Sequence, residues 1–383
     1  MRAKPTNQKP GFPMRHLLLA MFLSVALIGC SDQSTPEKQT AADIRAGRVV
    51  AEKECKACHG LDGKGTAAGI PNLAGQRGRY IMAALQEYKE TKRVHAALRA
   101  IAADLSDNET RGVAAFYASL PPIPAVKTSI FSPYENGKEV AATCAHCHGE
   151  DGNSKTPGTP SLAGQQPSYF VAATQEYLTG ARESAPMDPM LRRMSKLDIE
   201  STALFFASQT PAQRSAPPTG NPAAGEPKTA VCGGCHGSHG VSTDSATPGL
   251  AGQDPQYLTH AIKAYRTTRK HLLMSRLVAD LSDQDIDNIV AFYVTQKSKP
   301  AEDGQNLLKD ITDKCNRCHA GDINNPALAI PLINGQDKDY LTLALRAYRD
   351  GKRGNSMMHN MSLPYSDSII ESIASYYASQ PAR

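Results

Sequence analysis

The feature that most constrains this chain of 383 residues is a short motif, Cys-x-x-Cys-His, which occurs four times. Such a motif is typical of covalent attachment of a c-type haem: both cysteines add to the haem vinyl groups as thioethers, and the adjoining histidine binds the iron from one side. The four motifs use Cys55, Cys58 and His59; Cys144, Cys147 and His148; Cys232, Cys235 and His236; and Cys315, Cys318 and His319. The sequence therefore predicts four covalent haems, and these motifs consume eight of the nine cysteines.

Two other readings of a Cys-x-x-Cys pair are a redox disulfide and half of a zinc site. Zinc would require two pairs to come together, and it gives no reason for a histidine after every second cysteine. A disulfide explains neither the histidine nor the proline that lies 12 residues after it. Those prolines are Pro71, Pro160, Pro248 and Pro331. The pattern favours haem over both alternatives.

The first 29 residues are typical of an export signal. A basic region with no acidic residue precedes an apolar run of 12 residues, Leu17–Ile28, which is too short to span a bilayer comfortably. The run ends in Leu27-Ile28-Gly29-Cys30, which resembles the bacterial lipobox, so we expect cleavage before Cys30 and acylation of its thiol. The alternative is an ordinary signal peptide in which Cys30 is a chance residue.

Acylation at Cys30 would anchor the protein to a membrane on the periplasmic side, where c-type haem is attached. The next residue is Ser31 rather than Asp, which favours the outer membrane. Residues 30–42 are polar and are predicted to be a flexible tether. Removing residues 1–29 lowers the formal charge from +5 to +1, so nothing in the composition indicates a nucleic-acid partner.

The chain contains four copies of one unit, because the first cysteines of the motifs lie 89, 88 and 83 residues apart. We define repeats 1 to 4 as residues 43–120, 131–210, 223–298 and 301–383. In each repeat two tyrosines eight residues apart flank apolar positions spaced by three and four, which predicts an amphipathic helix. The pairs are Tyr80 and Tyr88, Tyr169 and Tyr177, Tyr257 and Tyr265, and Tyr340 and Tyr348. Strand signals are weak, so the predicted fold class is all-α, with each unit wrapped around a covalent haem.

Residues 43–383 resemble the class I cytochromes c, and within them cytochrome c4, which has two such domains in tandem. The resemblance rests on Cys-x-x-Cys-His-Gly-x-Asp-Gly, Pro-x-Leu-Ala-Gly-Gln, the tyrosine helix and a Leu-Ser-Asp that opens the last helix. It implies that the carbonyl of Pro71, Pro160, Pro248 or Pro331 holds the haem-binding histidine. It also implies a methionine as the second axial ligand. Repeat 4 departs from the pattern at Ala320 and Asn334.

The position of that methionine follows from the start of the last helix. Met274 lies seven residues before Leu281 of Leu-Ser-Asp, and the same offset gives Met187 in repeat 2 and Met358 in repeat 4. Rival sulfurs lie close by, at Met190, Met357 and Met361.

Repeat 1 breaks this rule, because Leu98 stands at the equivalent position. His95, three residues earlier, is the nearest candidate ligand, although repeat 3 has His271 at the same offset together with Met274. Three possibilities stay open: His95 as the ligand, an open iron, or another group. Met82 lies on the tyrosine helix and is expected in the core.

The leading hypothesis is a membrane-tethered electron carrier that passes single electrons along four haems, since iron with both axial positions filled can only change oxidation state. Its expected partners are redox proteins. We expect repeats 1 and 2, and repeats 3 and 4, to pair, separated by an extended linker at Pro211–Pro227. The alternatives are a haem enzyme of the peroxidase or thiosulfate dehydrogenase type that uses the first haem, or the electron-accepting subunit of a dehydrogenase complex.

Overall fold

The computed structural model describes residues 41–125, 129–217, 219–301, 307–320, 329–354 and 356–382. The predicted signal peptide and the acylation site Cys30 lie outside these ranges. The described residues fold into α-helices without β-strands, as expected, apart from an isolated antiparallel bridge between Arg93 and Arg353. In these ranges, no helix combines the length and the apolarity required to cross a bilayer.

The helices follow the same order in each repeat. Repeat 1 contains α1 (Ala41–Val50), a π-helical turn (Ala51–Cys55), α2 (Lys56–His59), α3 (Gly78–Lys89), α4 (Ala96–Asp104) and α5 (Asp107–Ser119). Repeat 2 contains α6 (Pro133–Ala141), α7 (Ala145–His148), α8 (Pro167–Leu178), α9 (Met187–Leu191) and α10 (Lys196–Ala207). Repeat 3 contains α11 (Pro222–Gly225), a 3₁₀ turn (Glu226–Thr229), α12 (Gly233–His236), α13 (Pro255–Ala264), α14 (Leu272–Val278) and α15 (Asp283–Thr295). Repeat 4 contains α16 (Leu307–His319), α17 (Lys338–Arg349), α18 (Ser356–Ser362) and α19 (Asp367–Ser379).

Two predictions about connecting segments are wrong in part. Ala41 and Ala42, placed in the flexible tether, begin α1, because alanine has the highest helix propensity. The Pro211–Pro227 linker is not extended throughout: Asn221 caps α11, and Pro222 occupies the first helical position, where its missing N–H costs nothing.

The first and last helices of repeats 1 to 3 cross with their backbones in contact. At Gly47 on α1, an added Cβ would lie 1.8 Å from the carbonyl oxygen of Gly112 on α5. Gly137 and Gly225 meet the last helices of repeats 2 and 3 in the same way. The close crossing fixes the segment that leads into each cysteine motif against the last helix.

Each repeat has its own hydrophobic core beneath its cysteine motif. A ring from the last helix lies at its centre and is almost fully buried: Tyr117, Phe206, Tyr293 or Tyr377. The first cysteine of the motif packs against this core in every repeat: Cys55, Cys144, Cys232 and Cys315. The attachment sites are therefore held on rigid packing.

The predicted pairing of neighbouring repeats is wrong, because the structure pairs repeat 1 with repeat 4. The side chain of Gln76 donates to the carbonyl of Leu332 (2.9 Å) and accepts from its N–H (2.9 Å). In the reciprocal contact, the side chain of Gln336 donates to the carbonyl of Asn72 (2.9 Å) and accepts from its N–H (2.6 Å). Each partner thus uses the same surface, as in a two-fold symmetric dimer.

Repeats 2 and 3 pair through the equivalent residues. The side chain of Gln165 donates to the carbonyl of Gly249 (3.2 Å) and accepts from its N–H (2.8 Å). The side chain of Gln253 donates to the carbonyl of Ser161 (3.0 Å) and accepts from its N–H (2.7 Å). The linker assists this contact, since Arg214 donates to the carbonyl of Gly252 (3.0 Å) and to the hydroxyl of Ser161 (3.0 Å). The segment expected to separate two pairs instead helps to join repeats 2 and 3.

Repeats 2 and 4 connect the two pairs through helices α10 and α19. Lys196 forms an ion pair with Asp367 (2.9 Å), and the N–H of Ser368 donates to the buried carboxylate of Glu200 (2.9 Å). The described residues belong to one compact unit, in which repeat 2 contacts both repeat 3 and repeat 4.

This nested pairing can be tested by cutting the chain. We expect a protease site inserted between Ser215 and Ala216 to leave the two fragments associated after cleavage, because both paired interfaces bridge the cut. Size-exclusion chromatography of the haem-loaded protein measures this. Alanine at all four glutamines, Gln76, Gln165, Gln253 and Gln336, should weaken the association, since each loses hydrogen bonds worth about 1 kcal/mol apiece. Separate elution of the fragments without those substitutions would contradict the nested arrangement.

Candidate haem-binding sites

The histidines of the four motifs share one hydrogen bond, from Nδ1 to the carbonyl of the proline 12 residues later. The distances are 3.0 Å for His59 and Pro71, 2.8 Å for His148 and Pro160, 2.9 Å for His236 and Pro248, and 2.9 Å for His319 and Pro331. A carbonyl oxygen only accepts, so Nδ1 carries the proton in each case. The lone pair of Nε2 is then free to bind a metal.

Burial reinforces that assignment. It lowers the pKa of all four imidazoles from the ordinary value, while the bond to the proline carbonyl opposes the shift. The neutral form, which has the free lone pair, is favoured. Burial also raises the pKa of the first cysteine of each motif, to about 11 for Cys55. The same burial therefore favours the neutral form of both the histidine and the first cysteine of each motif.

The residues present fit a covalently attached haem. Each motif places two cysteines three residues apart beside a histidine of fixed tautomer, over an apolar core. Within the described ranges, no three Cys, His, Asp or Glu side chains converge as a bare metal ion would require. At each motif the histidine can supply one metal-binding nitrogen, and the two cysteines can form two thioether bonds.

The peptide group after each proline connects a histidine to the partner repeat. The carbonyl of Pro71 accepts from His59, and the N–H of the same peptide group, on Asn72, donates to Gln336 of repeat 4 at 2.6 Å. The same relation joins His148 to Gln253, His236 to Gln165 and His319 to Gln76. Sequence reasoning missed this role, although the glutamine recurs in every repeat.

The candidate methionines differ in burial. Met274 is half-buried and packs against the core of repeat 3. Met187 and Met358 are half-buried, while Met357 and Met361 are exposed. Met190 packs against the core of repeat 2. Met82 packs against the core of repeat 1, where it was expected.

His95 has a local structural role that its counterpart in repeat 3 shares. Its Nδ1 accepts the N–H of Leu98 (3.2 Å) and so caps the start of α4. His271 caps α14 in the same way, with its Nδ1 3.2 Å from the N–H of Met274. The rings also lie edge-on to tyrosines, His95 to Tyr88 and His271 to Tyr265.

His359 has a role that the sequence did not indicate. Its Nδ1 donates to the carbonyl of Tyr348 at 2.7 Å, which leaves its Nε2 lone pair free. It adjoins Met358 on α18, so repeat 4 has both a sulfur and a nitrogen donor on one short helix. No spacing shared with the other repeats would have identified it.

Four arginines in the paired interfaces were also missed. Arg93, Arg182, Arg269 and Arg353 each lie over both tyrosines of their own repeat, with 4.7–5.9 Å between the guanidinium carbon and the ring centroids. At such distances the ring quadrupole attracts the guanidinium cation to the ring face. The signal was available, since an arginine follows the second tyrosine by four or five residues in every repeat.

The interface between repeats 1 and 4 holds two of these cations. Arg93 forms an ion pair with Glu87, whereas the guanidinium of Arg353 donates to the hydroxyls of Tyr80 (3.1 Å) and Tyr340 (3.2 Å). The Nε of Arg353 is buried without a hydrogen-bond partner. The interface therefore buries more positive than negative charge.

Comparison with known proteins agrees with this chemistry. A cytochrome c family model matches residues 44–120 and 134–204. The cytochrome c4 of Azotobacter vinelandii is 32% identical over 182 residues, which cover 41% of this chain and 85% of that protein. A thiosulfate dehydrogenase electron acceptor of Stutzerimonas stutzeri (strain A1501) is 32% identical over 181 residues, which cover 43% of this chain and 82% of that protein. The structure of reduced recombinant cytochrome c4 from Pseudomonas stutzeri is 28% identical, with a TM-score of 0.40, covering 43% of this chain and 99% of that chain.

The fold and the cysteine–histidine motifs define a helical haem-binding protein. The chain belongs to the cytochrome c family, and it is about twice as long as its cytochrome c4 relatives. It is a c-type cytochrome that carries electrons, and its length is consistent with duplication of a cytochrome c4-like protein.

We expect the interface glutamines to tune the iron of the opposite repeat. In Gln336→Ala the N–H of Asn72 loses its acceptor, so the hydrogen bond from His59 to the Pro71 carbonyl of the same peptide group weakens, and the reduction potential of a haem at this motif rises. In the matched variant Gln76→Ala the fourth haem should shift instead. Redox titration followed by paramagnetic resonance would measure this, and a shift in the glutamine's own repeat would contradict the assignment.

Proposed function

We propose that the protein is a tetrahaem c-type cytochrome that transfers single electrons in the bacterial periplasm and is anchored to a membrane, with the outer membrane favoured, by a lipid on Cys30. The observation that carries the haem number is the repetition of one geometry. All four motifs have a histidine whose Nδ1 donates to a proline carbonyl, buried in repeats 2 and 3 and half-buried in repeats 1 and 4, and all four have a first cysteine against an apolar core.

A haem bound at each motif would supply an iron that gains and loses one electron. The residues of the chain determine how it does so. His59, His148, His236 and His319 would hold the iron through Nε2, and Met187, Met274 and Met358 would supply a thioether sulfur as a further ligand in repeats 2 to 4. A thioether ligand raises the reduction potential. The proline carbonyls fix the orientation of each imidazole.

The nested pairing supports an order of transfer that differs from the order of the sequence. Repeats 1 and 4 share an interface, as do repeats 2 and 3, and each interface links two histidines through the glutamine contacts. Exchange within a pair would therefore be favoured. Transfer between the pairs would cross the packing of α10 against α19.

The haem number is tested by counting. Protein from a host that matures c-type cytochromes should contain four haems per chain by pyridine haemochrome assay, and its denatured mass should exceed that of the polypeptide by four haem groups. A variant with Cys144→Ala and Cys147→Ala should lose one group. Fewer than four in the unaltered protein would contradict the proposal.

The lipid anchor is tested by Cys30→Ser. We expect the unaltered protein to sediment with membranes and the variant to appear in the soluble periplasmic fraction, since removal of the acyl chains removes most of the membrane affinity. Ser31→Ala serves as the matched control and should stay in the membrane fraction. Membrane association of a Cys30→Ser protein whose mass shows that residues 1–29 have been removed would contradict acylation at this residue.

A second candidate is the electron-accepting subunit of a dehydrogenase. It is favoured by the 32% identity to the thiosulfate dehydrogenase electron acceptor of Stutzerimonas stutzeri. The same haems would serve a free carrier and such a subunit. Reduction of the purified protein by a thiosulfate dehydrogenase with thiosulfate, measured from the haem absorbance, would support this partner.

A further inference from the structure

We propose that the iron of repeat 1 has no second protein ligand and is a binding site for a small neutral molecule of the carbon monoxide class. This goes beyond electron transfer, and it rests on the proposed function only in requiring a haem at Cys55 and Cys58. The proposal comes from comparing α4 of repeat 1 with α14 of repeat 3, which begin at the same kind of cap.

The sulfur donor is missing from the position that the repeat geometry assigns to it. Leu98 and Met274 are each the third residue of their helix, each donates its N–H to the capping histidine at 3.2 Å, and each is half-buried. The two helices thus begin in the same way, with a capping histidine and a half-buried third residue, although α4 has 9 residues and α14 has 7. A leucine side chain has no lone pair with which to bind iron.

His95 cannot replace the sulfur while it caps the helix. Its Nδ1 accepts a hydrogen bond, so the neutral ring carries its proton on Nε2. Both nitrogens are then occupied, one by the backbone N–H and the other by its own proton. The motif histidine His59 has the opposite tautomer, because its Nδ1 donates to a carbonyl.

Two further donors in repeat 1 have contacts of their own. Met82 is the single methionine of residues 43–120, and it packs against the hydrophobic core. Lys92, the one lysine between α3 and α4, forms an ion pair with Glu90 at 2.7 Å. The chemistry of this repeat therefore leaves the position to an external ligand.

The surrounding sequence indicates a small, uncharged ligand. Where α14 has Leu272, Leu273 and Arg276, α4 has Ala96, Ala97 and Ala100. Loss of the methionine is thus accompanied by loss of side-chain volume at three positions of the same helix, while Arg99 in place of Ser275 adds volume at one. Leu98 itself offers only apolar contacts, which disfavour a charged ligand.

The test uses the full haem-loaded chain and a reciprocal pair of variants. Carbon monoxide titrated into the reduced protein should bind at one haem in four, as counted from the difference spectrum. Leu98→Met should reduce the binding to none and remove the high-spin signal of the oxidised protein. Met274→Leu should double the binding, because it makes repeat 3 resemble repeat 1.

Each outcome decides the question. Absence of binding in the unaltered protein, with four haems present by haemochrome assay, would overturn the proposal, as would binding that persists unchanged in Leu98→Met. If His95→Ala creates binding that the unaltered protein lacks, His95 is the ligand and the proposal is wrong. A haem count below four would contradict the proposed function. Failure of that proposal is therefore distinguishable from failure of the open site in repeat 1.

Discussion

One peptide group in each repeat connects the motif histidine to the partner repeat. Its carbonyl accepts the Nδ1 proton of the motif histidine, and its N–H donates to a glutamine of the partner repeat, at 2.6–2.9 Å in the four cases. Hydrogen bonds in such a chain polarise one another. The contact that fixes the metal-binding nitrogen is therefore also the contact that pairs the repeats, so haem binding and pairing depend on the same few atoms.

Differences among the repeats agree with the observed pairing. Asp254 and Asp337 cap the tyrosine helices of repeats 3 and 4 and also accept backbone N–H groups from their partners, Gly158 and Gly69, at 2.9 Å and 2.8 Å. Repeats 1 and 2 have Arg77 and Gln166 at that position, and these donate to partner carbonyls. Glu87 and Glu176 likewise occur only in repeats 1 and 2. The repeats thus form two complementary classes, and each pair contains one member of each class.

Local patterns predicted the local structure, because each depends on residues close in sequence. The cysteine motifs, the tyrosine helices and the histidine–proline bonds all lie within about one repeat, and repetition made them evident. The pairing of repeats 1 and 4 depends on contacts between residues more than 250 positions apart, such as Gln76 and Leu332, and an analogy with tandem neighbours gave the wrong partners. The sequence shows Asp337 at the position where repeat 1 has Arg77, but the contacts that these residues make depend on which repeats pair. His95 illustrates the same limit: its spacing fits a ligand, whereas its hydrogen bond to Leu98 fits a cap.

The nested arrangement also determines what an open iron in repeat 1 could exchange electrons with. Repeat 1 adjoins repeat 4 through the Gln76 and Gln336 contacts and through the backbone of Lys92, whose carbonyl accepts from Gly354 at 2.8 Å. Electrons for a molecule bound at repeat 1 would therefore come by way of repeat 4, the repeat at the opposite end of the sequence. Repeat 4 in turn contacts repeat 2 through α19. The first and last repeats of the sequence thus form one structural pair.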